Sequence, residues 1–184
     1  MTKSKEPIYT PPPRLLVERA DVFAMAAHGG AGQLRKYTGI PYVEHPRAVS
    51  RIVSVYGGSE AMVAAALLHD VVEDTKVDIE DIVYMFGVEV AELVDWMTDK
   101  TTPDDGNRAT RKKMERERWA GAPPEAKMIK PEDCIDNGHD ITANDPDFAK
   151  VYLSEMRLLL PLIENGSYRL ANRLSRIIES GLPA

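Results

Sequence analysis

The chain of 184 residues has one cysteine, no apolar run of membrane-spanning length and no segment with the alternation of a half-buried strand. A single thiol, Cys134, excludes an internal disulfide and a cysteine-cluster zinc site, and predicts a small packed hydrophobe instead. Without a run of roughly 20 apolar residues there is no candidate transmembrane helix. The opening MTKSKEPIYTPPP also has no apolar segment behind its lysines, so the protein is expected in the cytoplasm and away from membranes. Positive charge is in deficit. The 23 Lys and Arg face 29 Asp and Glu, and the net charge of −6 argues against general nucleic-acid binding while leaving local basic clusters free to hold a small phosphorylated ligand. No repeat or low-complexity tract divides the sequence, and its length suits one domain. Residues 1–13, ending in Pro11-Pro12-Pro13, read as a flexible lead-in and residues 14–184 as that domain.

What is present is helical periodicity. Apolar residues recur at helical spacing from Leu15 to Ala27, with His28 ending the segment and glycines 29, 30 and 32 stopping it. His45-Pro46 opens a second helix, and Ser59 caps a third. Asp78 starts a short helix that ends at Phe86-Gly87, Val88 to Trp96 forms another, and Arg108 to Trp119 is a strongly basic one. Pro124 begins a helix expected to kink at Pro131 yet continue to about Ile141, and Phe148–Ile163 and Tyr168–Ser180 complete an all-α chain.

The run from Ala61 to Thr75, AMVAAALLHDVVEDT, is apolar on every side for two turns and then carries His69, Asp70, Glu73 and Asp74. A helix with no polar face is a buried helix, so these four groups are expected at the rim of the core, His69 over Glu73 and Asp70 over Asp74 at helical spacing. Buried carboxylates without partners cost several kcal/mol each, so a cation or a set of donors must face them. Solvated charges at a helix end are one answer, and a metal site is another. A further histidine in an apolar helical segment, His28, and the later Asp133-x-x-x-Asn137 favour the metal. Imidazoles with carboxylates suit a divalent ion such as Mn²⁺. The adjacent cations Arg35 and Lys36 lie in a Gly/Pro loop with Tyr37 and Tyr42, and are either a solvated pair or a phosphate-and-base contact. His45, at a helix start, and His139 are expected to be structural, His139 at the surface.

In order along the chain stand His28, Gly32-Gln33-x-Arg35-Lys36-x-x-Gly39-x-Pro41-Tyr42-x-x-His45-Pro46, then Ala66-Leu67-Leu68-His69-Asp70-Val71-Val72-Glu73-Asp74-Thr75, then Lys130-x-x-Asp133-x-x-x-Asn137. This ordered set, from roughly Leu15 to Leu162, resembles the HD-domain hydrolases of the RelA/SpoT alarmone class. With no room for a synthetase half, the chain is most similar to the single-domain small alarmone hydrolases. The resemblance implies an all-helical HD-domain bundle that binds Mn²⁺ through His28, His69, Asp70 and Asp133. It implies that Glu73 and Asp74 act on the attacking water and that the 3′-diphosphate of ppGpp or pppGpp, with ppApp as a further candidate, leaves as pyrophosphate. It also implies that Arg35 and Lys36 lie beside the base and phosphates and that Asn137 lines the pocket. Two other readings keep the fold: an HD phosphohydrolase acting on a different nucleotide or on NADPH, and a non-catalytic nucleotide-binding module. Retention of Glu73 and Asp74 weighs against the module, because a pure binder gains nothing from burying two extra carboxylates.

Overall fold

The computed structural model describes residues 13–181, and among these the only extended pairing is one bridge between Leu34 and Pro41. The helices are α1 (Pro13–Gly30), α2 (Glu44–Val55), α3 (Glu60–Leu68), α4 (Val71–Asp74), α5 (Ile79–Phe86), α6 (Val88–Met97), α7 (Arg108–Ala120), α8 (Pro124–Asn144), α9 (Pro146–Ile163) and α10 (Tyr168–Gly181). The fold is all-α, as the periodicity predicts. Of the expected lead-in, 1–13, residues 1–12 lie outside the described residues, and Pro13 belongs instead to α1 as its first residue. Among the described residues no helix is long and apolar enough to cross a membrane.

The local signals act where the sequence puts them. Ser59 Oγ accepts the Met62 N–H at 3.2 Å and Asp78 Oδ1 accepts the Asp81 N–H at 2.9 Å, each satisfying a donor that the first helical turn leaves free. At the end of α1, Gly32 takes φ 64°, which lets the Gln33 N–H close back onto the His28 carbonyl at 3.0 Å. That turn sets the direction of the Gln33 side chain.

The core forms around α3. Every residue from Ala61 to Leu68 is buried, and the helix packs against α1, α2, α6 and α8. Its larger side chains, Val63, Leu67 and Leu68, each stabilise the fold by about 1.5–3 kcal/mol through burial, while Ala64, Ala65 and Ala66 let neighbouring helices approach.

The structure differs from the unbroken helix expected through Thr75. α3 stops at Leu68, His69 and Asp70 form a turn, and α4 starts again at Val71. The physical reason lies in the imidazole, whose Nδ1 bonds the Ala66 carbonyl at 2.9 Å and so competes with the helical ladder. His69 and Asp70 therefore join a buried cluster, while Glu73 and Asp74 stand exposed on a cavity wall.

α8 remains one helix of 21 residues through Pro131. Gly166 packs there so closely that a Cβ would stand 2.3 Å from the Lys127 carbonyl carbon. Beyond the proline, Asp133, Asp136, Asn137 and Asp140 recur at three- and four-residue spacing and so share one face. That helix packs on α2, whose first turn carries His45.

Candidate metal centre and its cavity

Four side chains from three parts of the chain converge. His45, His69 and Asp70 present ligand atoms all within 4.8 Å of one another. The two Nε2 atoms are 3.2 Å apart, and Asp70 Oδ2 lies 3.5 Å from that of His45 and 3.2 Å from that of His69. Asp133 approaches from α8, with Oδ1 3.3 Å from His45 Nε2 and 3.6 Å from His69 Nε2. Each imidazole has its other nitrogen engaged. His45 Nδ1 bonds Asp136 Oδ2 at 2.6 Å, and His69 Nδ1 bonds the Ala66 carbonyl. Both Nε2 atoms therefore face the shared point, and two imidazoles with two carboxylates form a donor set suited to a divalent ion.

Charge balance points the same way. Burial alone would keep the His69 ring neutral, but Asp70 and Asp133 outweigh it and hold the ring well above the usual histidine range. His45 is raised too, because Asp133 and Asp136 overcome its desolvation. Burial would likewise protonate Asp133, yet Lys130 and the two histidines hold it well below the usual carboxylate range, and Asp70 is lowered mainly by His69. The carboxylates of the cluster thus draw positive charge from the imidazoles, a charge that a divalent cation held there would supply in their place.

His28, not His45, is the ligand expected from the sequence, whereas the structure brings His45 into the cluster and leaves His28 outside it. The Tyr42 ring stands beside both imidazoles, 4.9 Å from His28 and 5.7 Å from His45. His28 Nδ1 bonds Gln33 Oε1 at 2.7 Å, and its Nε2 is buried with no hydrogen-bond partner. Gln33 in turn donates to Asp74 Oδ2 at 2.7 Å, so His28 sits behind an acidic side chain of the cavity wall rather than in the cluster. One available signal for His45 is its spacing from Val49 and Val53, four and eight residues on, which places it on the buried stripe of α2.

Arg35 is also placed differently from a free phosphate-binding cation. It is 9% exposed, and its guanidinium donates to Asn137 Oδ1 at 2.9 Å and Asp136 Oδ2 at 3.0 Å while facing Asp140 Oδ2 at 3.2 Å. Asn137 Nδ2 donates to Asp133 Oδ1 at 2.8 Å. Lys36 is exposed, 4.6 Å from the centre of the Tyr37 ring and 6.0 Å from that of Phe148. His139 is exposed and Cys134 is buried, as the sequence predicts.

A cavity of about 230 Å³ opens above the cluster among α4, α7, α8 and α9. Its wall carries Asp70, Glu73, Asp74, Arg108, Lys112, Arg116, Lys130, Asp133 and Asn137. Glu73 reaches solvent along this cavity, but the surrounding protein desolvates it and pushes its carboxyl up to about 7, against the opposing bond from the Asp99 N–H at 3.1 Å. Asp74 is raised by the same desolvation, less the effect of Gln33. The two residues after Asp99 are held by Glu115, a buried carboxylate that accepts the Lys100 and Thr101 N–H groups at 2.6 and 2.8 Å. A side pocket of about 220 Å³ adds Arg111, whose Nε is buried without a partner. Another, of about 190 Å³, lies between Lys36, Tyr37, Tyr42, Asn137, Ile141 and Phe148. A groove of about 640 Å³ along α5 and α6 is larger but holds none of these residues.

The arrangement has known counterparts. The HD domain family model matches residues 20–122. Mouse guanosine-3′,5′-bis(diphosphate) 3′-pyrophosphohydrolase MESH1 is 38% identical over 135 residues, covering 71% of this chain and 72% of its own. A probable enzyme of the same activity from Synechocystis is 47% identical over 89 residues, but that match spans 48% of this chain and only 11% of the cyanobacterial protein. A solved structure described as a metazoan ortholog of SpoT that hydrolyzes ppGpp superposes with a TM-score of 0.80 at 30% identity, over 94% of this chain and 97% of that one. The converging histidines and aspartates, the all-α architecture and these likenesses agree: the chain belongs to the HD domain family and is a homologue of the single-domain MESH1 proteins.

Proposed function

We propose that this chain removes the 3′-diphosphate of guanosine 3′,5′-bis(diphosphate) and related alarmone nucleotides as pyrophosphate, using a divalent ion, Mn²⁺ by our reading, held by His45, His69, Asp70 and Asp133. The observation that carries this is the meeting of four ligand groups at the floor of a cavity whose wall holds two further carboxylates and several cations. The activity named for the mouse relative and for the superposed structure supports the choice of substrate. An ion in the cluster supplies Lewis-acid polarisation of a phosphoryl oxygen and positive charge against the diphosphate.

The chain's own residues do the rest. Glu73, with a carboxyl near 7, accepts a proton from the attacking water at neutral pH. Asp74, held by Gln33, orients that water. The water oxygen bonds to the phosphorus next to O3′, the phosphorus–O3′ bond breaks, O3′ takes up a proton from solvent while Glu73 returns its own to solvent, and the products are a 3′-hydroxyl and pyrophosphate. Lys112, Arg116 and Lys130 hold the diphosphate in line, and the pocket of Lys36, Tyr37 and Phe148 offers ring faces and a cation to the base. Asn137 lines both spaces, so it stands where nucleoside and diphosphate meet.

The test is pyrophosphate release by the purified protein with Mn²⁺. ppGpp or ppApp is turned over, and NADPH and deoxynucleoside triphosphates are poor substrates. Turnover of NADPH alone, or binding of ppGpp without product, overturns the proposal.

A further inference from the structure

Behind the cluster lies a second set of side chains, of which Asp136, Arg35 and Asp140 neither join the cluster nor line the main cavity. Asp136 is absent from the cavity wall, yet its Oδ2 is 2.6 Å from His45 Nδ1. The same carboxylate oxygen is 3.0 Å from the Arg35 guanidinium. Arg35 reaches in a second direction as well, to Asn137 Oδ1 at 2.9 Å, and Asn137 donates onward to Asp133 Oδ1 at 2.8 Å. Asp140, one turn along α8, faces the guanidinium at 3.2 Å and completes its surroundings. One planar cation thus spans the supports of two cluster members, one from α2 and one from α8.

We propose that Asp136 and Arg35 are positioning residues of the metal centre: Asp136 fixes the tautomer and direction of the His45 ring, and Arg35 locks Asp136 and Asn137 so that His45 and Asp133 meet at one point. The proposal rests on the reading that this cluster holds a divalent ion. A carboxylate that accepts the Nδ1 proton leaves Nε2 as a lone pair aimed at the shared point and makes it a better donor. Arg suits the post because its fork can hold two partners in fixed directions, whereas a lysine ammonium is a single point charge. Cross-linking the 33–42 loop to α8 is the competing role, and metal affinity separates the two. A cross-link can be weakened without changing how tightly the ion is held.

The experiment measures the Mn²⁺ dissociation constant of the intact protein by titration calorimetry, alongside melting temperature in EDTA, for wild type, Asp136→Asn and Arg35→Lys. Asn keeps the shape of Asp136 but not its charge, and its amide can present a donor to Nδ1 and so reverse the tautomer. The expected result is a loss of Mn²⁺ affinity of about 10–100-fold in Asp136→Asn and a smaller loss in Arg35→Lys, in variants that still unfold cooperatively in EDTA. Should Asp136→Asn fail to fold, Arg35→Lys decides, since Lys can still pair with Asp140. Mn²⁺ binding within twofold of wild type in every folded variant overturns the positioning role while leaving the metal centre standing. A wild-type protein that binds no Mn²⁺ removes the centre and this inference together.

Discussion

At the floor of the cavity His45 and His69 are 2% and 1% exposed and every ring nitrogen has a partner, whereas at its mouth the charged groups meet water and pair singly. Lys112 bonds Asp99 at 2.6 Å and Arg108 bonds Glu155 at 2.8 Å, both partly solvated. Floor and mouth both set carboxylates against positive groups, and the difference is in what a lost partner leaves behind. A floor group that loses its partner leaves charge in a dry place, while a mouth group turns to solvent. The floor therefore fixes geometry, and the mouth is free to exchange its acidic partners for phosphate oxygens.

That contrast can be broken most sharply at the floor. Asp133→Ala leaves Lys130, His45 and His69 without their shared carboxylate and is expected to destabilise the metal-free protein by about 3–5 kcal/mol, against less than about 1 kcal/mol for Lys112→Ala, both read from urea unfolding. For function, His45→Ala is expected to abolish Mn²⁺ binding and turnover, while His28→Ala loses no more than roughly tenfold, the low end for a group behind the ligands. Equal losses in the two histidine variants would erase the distinction drawn here.

Next in size is Glu73→Gln, which is expected to lower kcat by about 10²–10⁴-fold while Mn²⁺ still binds. A general base must be ionised, so wild-type kcat/KM rises with pH through a value at or below about 7, because a cation bound at Asp70 favours the neighbouring carboxylate. The ramp should vanish in the variant. The smallest effect tests the fold away from the cavity. Glu132, 4% exposed and bonded to Arg173 at 2.7 Å, is pushed up to about 7 by burial, which outweighs that pairing. The unfolded chain gives up this proton near the ordinary glutamate value, so native stability falls as pH rises from about 4.5 to 7. Glu132→Gln should match wild type near pH 4.5 and exceed it by up to about 3 kcal/mol at pH 8, measured by denaturant melts at both pH values.

Much of this was legible before any coordinates. Ser59 and Asp78 cap as short polar residues before apolar runs do, and Pro124 opens α8, which runs on past Pro131. The apolar turns before His69 mark the buried helix, and Asp133 with Asn137 share a face by spacing alone. The break at His69–Asp70 was not legible, because it depends on a ring bonding the Ala66 carbonyl. Nor was the choice between His28 and His45. Both lie on apolar helical stripes, and what separates them is tertiary: Asp136 on α8 claims the Nδ1 of one, and Gln33 claims that of the other. Arg35 reads as a cation of an exposed loop until α8 brings three acceptors to it.

The most direct test of the account is the position of a bound ion. Crystals soaked in Mn²⁺ and measured at the manganese absorption edge should show one anomalous peak within bonding distance of His45 Nε2, His69 Nε2 and the Asp70 and Asp133 carboxylates. A peak beside His28, or none at any of these four side chains, would contradict it.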